Sequence, residues 1–345
     1  MTKLRVQLVF IATLALGYAA ENPAPVTYDG FQVIPSPQEK KIRYEMPGFE
    51  LKQIEQNGEI FIKPEMQNAG SMVDPGDPYL PTVSTYYAVE PGKTYSVQID
   101  IQETETISNI DIFPLEGWDP NLTGQIVKGR LYSENALFPA SIATVSEPLI
   151  FRGLTMVQVA VTPFQYNPVT EELTVIQSAE VELVEIGTTD MPFIPTKRSR
   201  AFEDLYESMV VNYAEMSRDE VEYQKPAILY VLPSNLTNTM MNYVEELMDW
   251  KHRVGYEVNY VNSSSVVNNR NNLKNYIENA YEDWDNPPVF VTIVGDADGT
   301  YDIPTWSDSW SYYNGDGDHP YSTLEGSDQY PEVFLGRLSF DTSSD

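Results

Sequence analysis

The chain of 345 residues contains no cysteine. No disulfide can brace the fold, and no thiolate nucleophile is available from these residues. Histidine is almost as scarce: His252 and His319 are the only two candidates for the usual general base. Basic residues are few, 21 Lys and Arg against 51 Asp and Glu, for a formal charge of −30. A field of that sign repels nucleic acid and anionic lipid, and it favours cation binding. Beyond the first twenty residues no apolar run approaches membrane-spanning length, and no internal repeat is visible.

What is present begins with a targeting pattern. Lys3 and Arg5 form a short basic start, residues 6–16 are apolar, and Gly17, Ala19 and Ala20 offer small residues before Glu21. This predicts a cleaved signal peptide over residues 1–20 and an exported protein, secreted or at the cell surface. From there to about Val184 the pattern is β. Alternating, β-branched runs such as 95–101, 154–161 and 172–176 are separated by Pro, Gly and Asn turns. Short strands without helical periodicity predict a sandwich or barrel-like domain.

The composition changes at residues 191–200. Two prolines are followed by Lys197, Arg198 and Arg200 in an otherwise acidic chain, which predicts an exposed linker open to trypsin-like cleavage. Residues 201–222 read as a charged, weakly helical connector. From Lys225 the periods alternate: an apolar strand to Leu232, and a helix to Val254 with Gly255 as its C′ residue. A strand over 256–261, a helix over 270–284 and a strand over 289–294 follow. This order predicts a parallel sheet with right-handed crossovers. In such sheets the chemistry sits beyond the carboxyl ends of the strands, where Asp296, Asp298 and Glu332 are expected.

Asn314, Asp316, Asp318 and Glu325 carry oxygens at the spacing of a calcium-binding loop, although His319 stands where that loop needs glycine. A structural Ca²⁺ is therefore a candidate cofactor; a solvated acidic loop is the other reading. Asp296, Asp298 and Asp302 form a weaker cluster of the same kind. His252, between Lys251 and Arg253 at a helix end, reads as a dipole-stabilising cation. His319 and Ser327 lack the surroundings of a nucleophile–base pair. Glu332 directly precedes an apolar strand, where a carboxylate needs a partner. Arg337, five positions on, would lie on the opposite face of a strand.

These segments resemble the gingipain-type (family C25) cysteine peptidases. The likeness runs in order through residues 228–232, 250–255, 291–296, Ile303-Pro304, 318–321, 324–328 and 331–337. In the β region it is carried by residues 76–81, Arg152-Gly153-Leu154 and 161–168, and at the junction by 199–202 with Leu205-Tyr206. The resemblance implies a multidomain zymogen: signal peptide 1–20, β-rich propeptide-like domain 21–190, processing linker 191–224, and the N-terminal part of a caspase-like α/β catalytic domain 225–345. A cysteine attacks the peptide carbonyl in that family, a histidine acts as acid and base, and a carboxylate orients the histidine. The resemblance makes Glu332 that carboxylate, with histidine and cysteine expected further along and this chain inactive as it stands. It also implies protein or peptide substrates for the full-length enzyme, contact between prodomain and catalytic domain, and calcium stabilisation. Lys128 and Arg130 would then supply a loop plugging a basic-specific pocket; two ordinary surface cations are the other reading, and the one favoured. The alternative is a non-catalytic exported protein for cell-surface binding or assembly, with acidic calcium-binding loops.

Overall fold

The computed structural model describes residues 30–36, 39–56, 58–71, 73–117, 127–191, 198–216, 222–310 and 313–340. The signal-peptide expectation for residues 1–20, and Lys197, lie outside the described residues.

The first half is built of strands β1 (Phe31–Ile34), β2 (Lys40–Glu45), β3 (Glu50–Gln56), β4 (Glu59–Glu65), β5 (Gly70–Ser71), β6 (Pro81–Ala88) and β7 (Lys93–Ser108). Then come β8 (Ala143–Val145), β9 (Leu149–Phe151), β10 (Leu154–Val161), β11 (Phe164–Asn167) and β12 (Glu172–Thr188). One antiparallel sheet is ordered β1-β2-β12-β11, with β7 also paired along β12. A second is ordered β5-β6-β10-β8, with β9 on β10, and β3 and β4 form a separate hairpin. Phe31, Ile42, Tyr44 and Val181 of the first sheet meet Val83, Val157, Val159 and Val161 of the second in one buried core. This is the sandwich that the strand pattern predicts. On β10 the next residues over, Leu154 and Met156, belong to a different core with Phe202, Tyr206 and Val210. Cover on both faces explains why this strand is apolar almost throughout.

Helix α1 (Arg200–Met209) follows, and the Ser199 side chain accepts a hydrogen bond from the Ala201 amide at 3.3 Å to cap it. Residues 201–216 of the connector are thus packed onto the fold despite their charge, because Phe202 and Tyr206 bury one face of α1 between the two domains.

The second half is a parallel sheet. Its elements are β13 (Ala227–Val231), α2 (Asn238–Arg253), β14 (Glu257–Val261), the short α3 (Ser264–Val267), α4 (Arg270–Asp283) and β15 (Phe290–Val294). A hairpin, β16 (Trp306–Trp310) and β17 (Tyr313–Gly317), precedes β18 (Phe334–Leu338). The sheet order is β14-β13-β15-β18, all parallel. Thr237 caps α2 by accepting from the Met240 amide, and Gly255 takes the left-handed conformation (φ +102°) that ends it. Met248 of α2 packs on Ile228 and Tyr230 from one side of the sheet. Leu273, Ile277 and Tyr281 of α4 pack on Leu229, Val291 and Ile293 from the other. Among the described residues no helix is long and apolar enough to cross a membrane.

Candidate functional site

Strands β15 and β18 are paired in register from Phe290 with Phe334 to Val294 with Leu338. Glu332 precedes β18, so it sits at the amino edge of the sheet, opposite the Asp296 loop that follows β15. The expectation that placed Glu332 beyond the carboxyl ends is corrected by this register. Glu332 is fully buried. Its Oε2 accepts from the Leu324 amide at 2.5 Å and the Glu325 amide at 3.2 Å, and its own amide donates to the Ser322 carbonyl at 2.8 Å. Oε1 has no hydrogen-bond partner among the described residues. The carboxylate therefore ties the 322–325 segment to the start of β18. Burial pushes the Glu332 carboxyl up to about 8; the two amides oppose the rise, and nearby Asp328 and Glu325 add to it.

A raised value means that the folded state holds this proton more tightly than the unfolded chain. The associated stability is complete below the ordinary value of 4.5 and is lost as pH rises through about 8. Glu332→Gln is expected to stabilise the chain at pH 8 by about 2–4 kcal/mol and to change little at pH 5. Urea unfolding at the two pH values checks this. A loss of stability at both would mean that the ionised carboxylate, beside Arg152, is the favoured form.

Arg152 reaches the same edge from the other domain. It occupies the turn between β9 and β10 and is 4% exposed. Its Nη1 donates to the carbonyls of Pro288 (3.1 Å) and Glu332, and Nη2 donates to Oε1 of Gln224 at 2.9 Å. The guanidinium lies over the rings of Phe202 (5.1 Å) and Tyr281 (5.6 Å). Burial pulls it below its ordinary pKa, against the favourable fields of Tyr281, Tyr206 and Glu332. Around it Phe151 packs on Phe202, Tyr206 and Tyr330 with centroids 5.4, 5.5 and 5.8 Å away. The Ile150 amide donates to Asp328 Oδ2 at 2.8 Å, and the hydroxyls of Tyr86 and Tyr330 are hydrogen-bonded to each other. On the neighbouring strand, the Asn212 side chain exchanges two hydrogen bonds with the Ala88 backbone (2.8 and 3.0 Å), as an added strand would.

The linker cations are held too. Arg198 lies 3.3 Å from Glu203, donates to the Tyr213 hydroxyl and accepts from the Gln224 amide through its carbonyl. Arg200 opens α1, with its guanidinium 4.8 Å from the Tyr223 ring centre. The exposed linker predicted for Arg198 is therefore corrected: Arg198 is half-buried and engaged by the fold, whereas Arg200 remains exposed at the first turn of α1. Lys128 is likewise occupied, by Asp111 at 2.7 Å and by the rings of Phe61 and Tyr132, while Arg130 pairs with Glu134 on the surface.

At the carboxyl edge, Gly295 turns the chain at φ +130°, where a Cβ would stand 2.4 Å from the Tyr301 carbonyl. Arg337 does not pair with Glu332. It makes two 2.7 Å bonds to Asp318, which also accepts from Thr305 at 2.7 Å. Burial alone would raise Asp318, but the bonds from Arg337 and Thr305 outweigh it and hold the carboxyl below its usual value. His319 starts a short turn, with Nδ1 3.4 Å from the Ser322 hydroxyl; His252 is exposed in the last turn of α2. The four residues expected as calcium ligands have the following surroundings. Asn314 and Asp316 lie in β17, paired with Ser309 and Ser307, rather than in a loop. Asp318 is committed to a guanidinium, and Glu325 is buried with Tyr281 donating to it at 3.0 Å. Among the described residues no group of three or more acidic or histidine side chains is close enough to hold a metal.

Sequence reading did not single out Arg152, Phe151 or Asn212 as junction residues. One signal was available: a two-residue hairpin turn, Arg152-Gly153, with arginine where Asn, Asp or Gly is favoured.

Residues 29–220 match the family model Propeptide_C25, and residues 222–345 match Peptidase family C25. Gingipain R2 of Porphyromonas gingivalis is 27% identical over 317 residues, covering 88% of this chain and 41% of that protein. Lys-gingipain of the same organism is 24% identical over 315 residues, covering 84% of this chain and 17% of that protein. The chain thus spans about two fifths of the length of gingipain R2 (41%). The solved complex of Porphyromonas gingivalis RgpB pro- and mature domains matches with a TM-score of 0.47 and 24% identity, over 54% of this chain and 98% of that one. By its two family matches the chain belongs to peptidase family C25, as a gingipain-type propeptide followed by part of the catalytic domain.

Proposed function

We propose that the chain is the latent portion of an exported cysteine endopeptidase, with the β domain acting as a propeptide docked on the peptidase domain. The junction carries this reading: one arginine and several aromatic side chains, the residue types that anchor stable interfaces, are buried where the two family segments meet. With no cysteine the chain supplies no thiolate, so alone it is expected to hydrolyse no peptide bond. Protein and peptide substrates belong to the longer enzyme. Export rests on the charge and hydropathy pattern of residues 1–20.

Processing would follow from the linker. A protease needs several residues of accessible, extended chain. Arg198 and Arg200 are engaged by Glu203, Tyr213, Tyr223 and the first turn of α1. The bond after Lys197, which would leave Arg198 and Arg200 together on the α1 side, is the proposed first cut, with slower cuts after Arg198 and Arg200. Brief trypsin treatment at neutral pH, followed by N-terminal sequencing and gel filtration, tests the reading. A new terminus at Arg198 and two fragments eluting together are expected. Prompt separation of the fragments, or first cuts inside the β domain, would overturn it.

A further inference from the structure

The groups that receive Arg152 form a site in their own right. The Pro288 and Glu332 carbonyls lie just before β15 and β18, where the parallel ladder has not yet begun. Gln224, just before β13, has its amide fixed by other bonds: Nε2 donates to the carbonyls of Pro287 (2.8 Å) and Lys225 (3.3 Å). Those bonds hold the amide with Oε1 turned toward the guanidinium. Phe202 is held in place by Phe334, with ring centres 4.5 Å apart, and Tyr281 by its bond to Glu325. Nη1 reaches the two carbonyls and Nη2 the Gln224 oxygen, while Nε has no partner among the described residues, and two rings flank the cation. A guanidinium spreads its donors over separate atoms in this way, and an ammonium carries all of its donors on one.

The ligand side carries the cost. Arg152 has φ +44° and Gly153 φ +71°, so a residue with a Cβ stands in the left-handed region of a tight hairpin. Such an outlier persists where the side chain is needed. Every receiving residue lies C-terminal to Lys197, and the arginine lies N-terminal to it.

We propose that the amino edge of the α/β sheet carries a preformed guanidinium-binding socket, built from Gln224, Pro288, Glu332, Phe202 and Tyr281 and filled in this chain by Arg152. Its ligand class is an arginine side chain or a small guanidinium cation. The socket itself does not depend on the latency reading. If that reading holds, release of the β domain vacates the socket and leaves it open to an arginine presented by another hairpin.

The test uses the uncut full chain and no peptidase assay, so its failure is separate from failure of the proposed function. Arg152→Ala empties the socket and is expected to lower the melting temperature by several degrees. Methylguanidinium at about 20 mM is expected to raise it again, saturably, by about 2–4 °C for a millimolar dissociation constant. Methylammonium at equal ionic strength should have no such effect, and the wild-type chain should respond to neither. If Arg152→Ala is unfolded at 25 °C, the same titration followed by circular dichroism should refold it with methylguanidinium alone. An equal response to both cations, an equal rise in the wild type, or no refolding overturns the socket.

Discussion

Phe202→Ala is expected to destabilise the chain by about 3–5 kcal/mol, the range for removing a buried aromatic from a packed core. Phe202 is 1% exposed and belongs to neither sheet. Its ring is within 6.0 Å of the centroids of Phe151, Tyr206 and Phe334, and it forms one face over Arg152. Phe151 comes from the β domain and Phe334 from the parallel sheet, so one deletion loosens both sides together. A whole domain is typically stable by only about 5–15 kcal/mol. The loss should therefore show as uncoupling, with one calorimetric transition splitting into two and the α/β half melting first. A single transition displaced by less than about 1 kcal/mol would show that the domains are held elsewhere.

What could be read in the sequence was whatever depends on near neighbours. The run from Ala227 to Val231 is apolar throughout because the sheet is covered by α2 on one face and α4 on the other. Thr237 and Gly255 bracket α2 as local capping chemistry requires. The junction depends on distant neighbours instead. Arg152 looks like a surface cation until Gln224, Pro288 and Glu332 arrive, 72, 136 and 180 positions later. Asp318 has ligand-like spacing with Asp316, yet its partner is Arg337, 19 positions on. The β16–β17 hairpin was hidden because Asn314, Gly315, Asp316 and Gly317 have turn-forming character and low strand propensity. Glu332 was legible as a buried carboxylate needing partners. Its side of the sheet was misjudged, since a residue before a parallel strand lies at the amino edge.

Arg337→Ala is expected to cost about 3–5 kcal/mol, as breaking one side of a largely buried ion pair does. The two side chains are only 12% and 20% exposed. Arg337 takes both oxygens of Asp318, and its Nη1 also donates to the carbonyls of Gly295 (3.1 Å), Asp296 (3.0 Å) and Ile303 (3.0 Å). One guanidinium thus joins β18, the turn after β15 and the segment before β16 at the carboxyl edge of the sheet. Alanine would leave Asp318 with Thr305 alone and the three carbonyls without this donor. Lysine keeps the charge but not the fork, so Arg337→Lys should recover less than half of the loss. Arg337→Met combined with Asp318→Leu should recover more than Arg337→Met alone, because no unpaired carboxylate remains. Urea unfolding of the four variants measures the order. If lysine equals the wild type, charge rather than geometry holds this edge together; if all four variants equal the wild type, the clamp contributes nothing to stability.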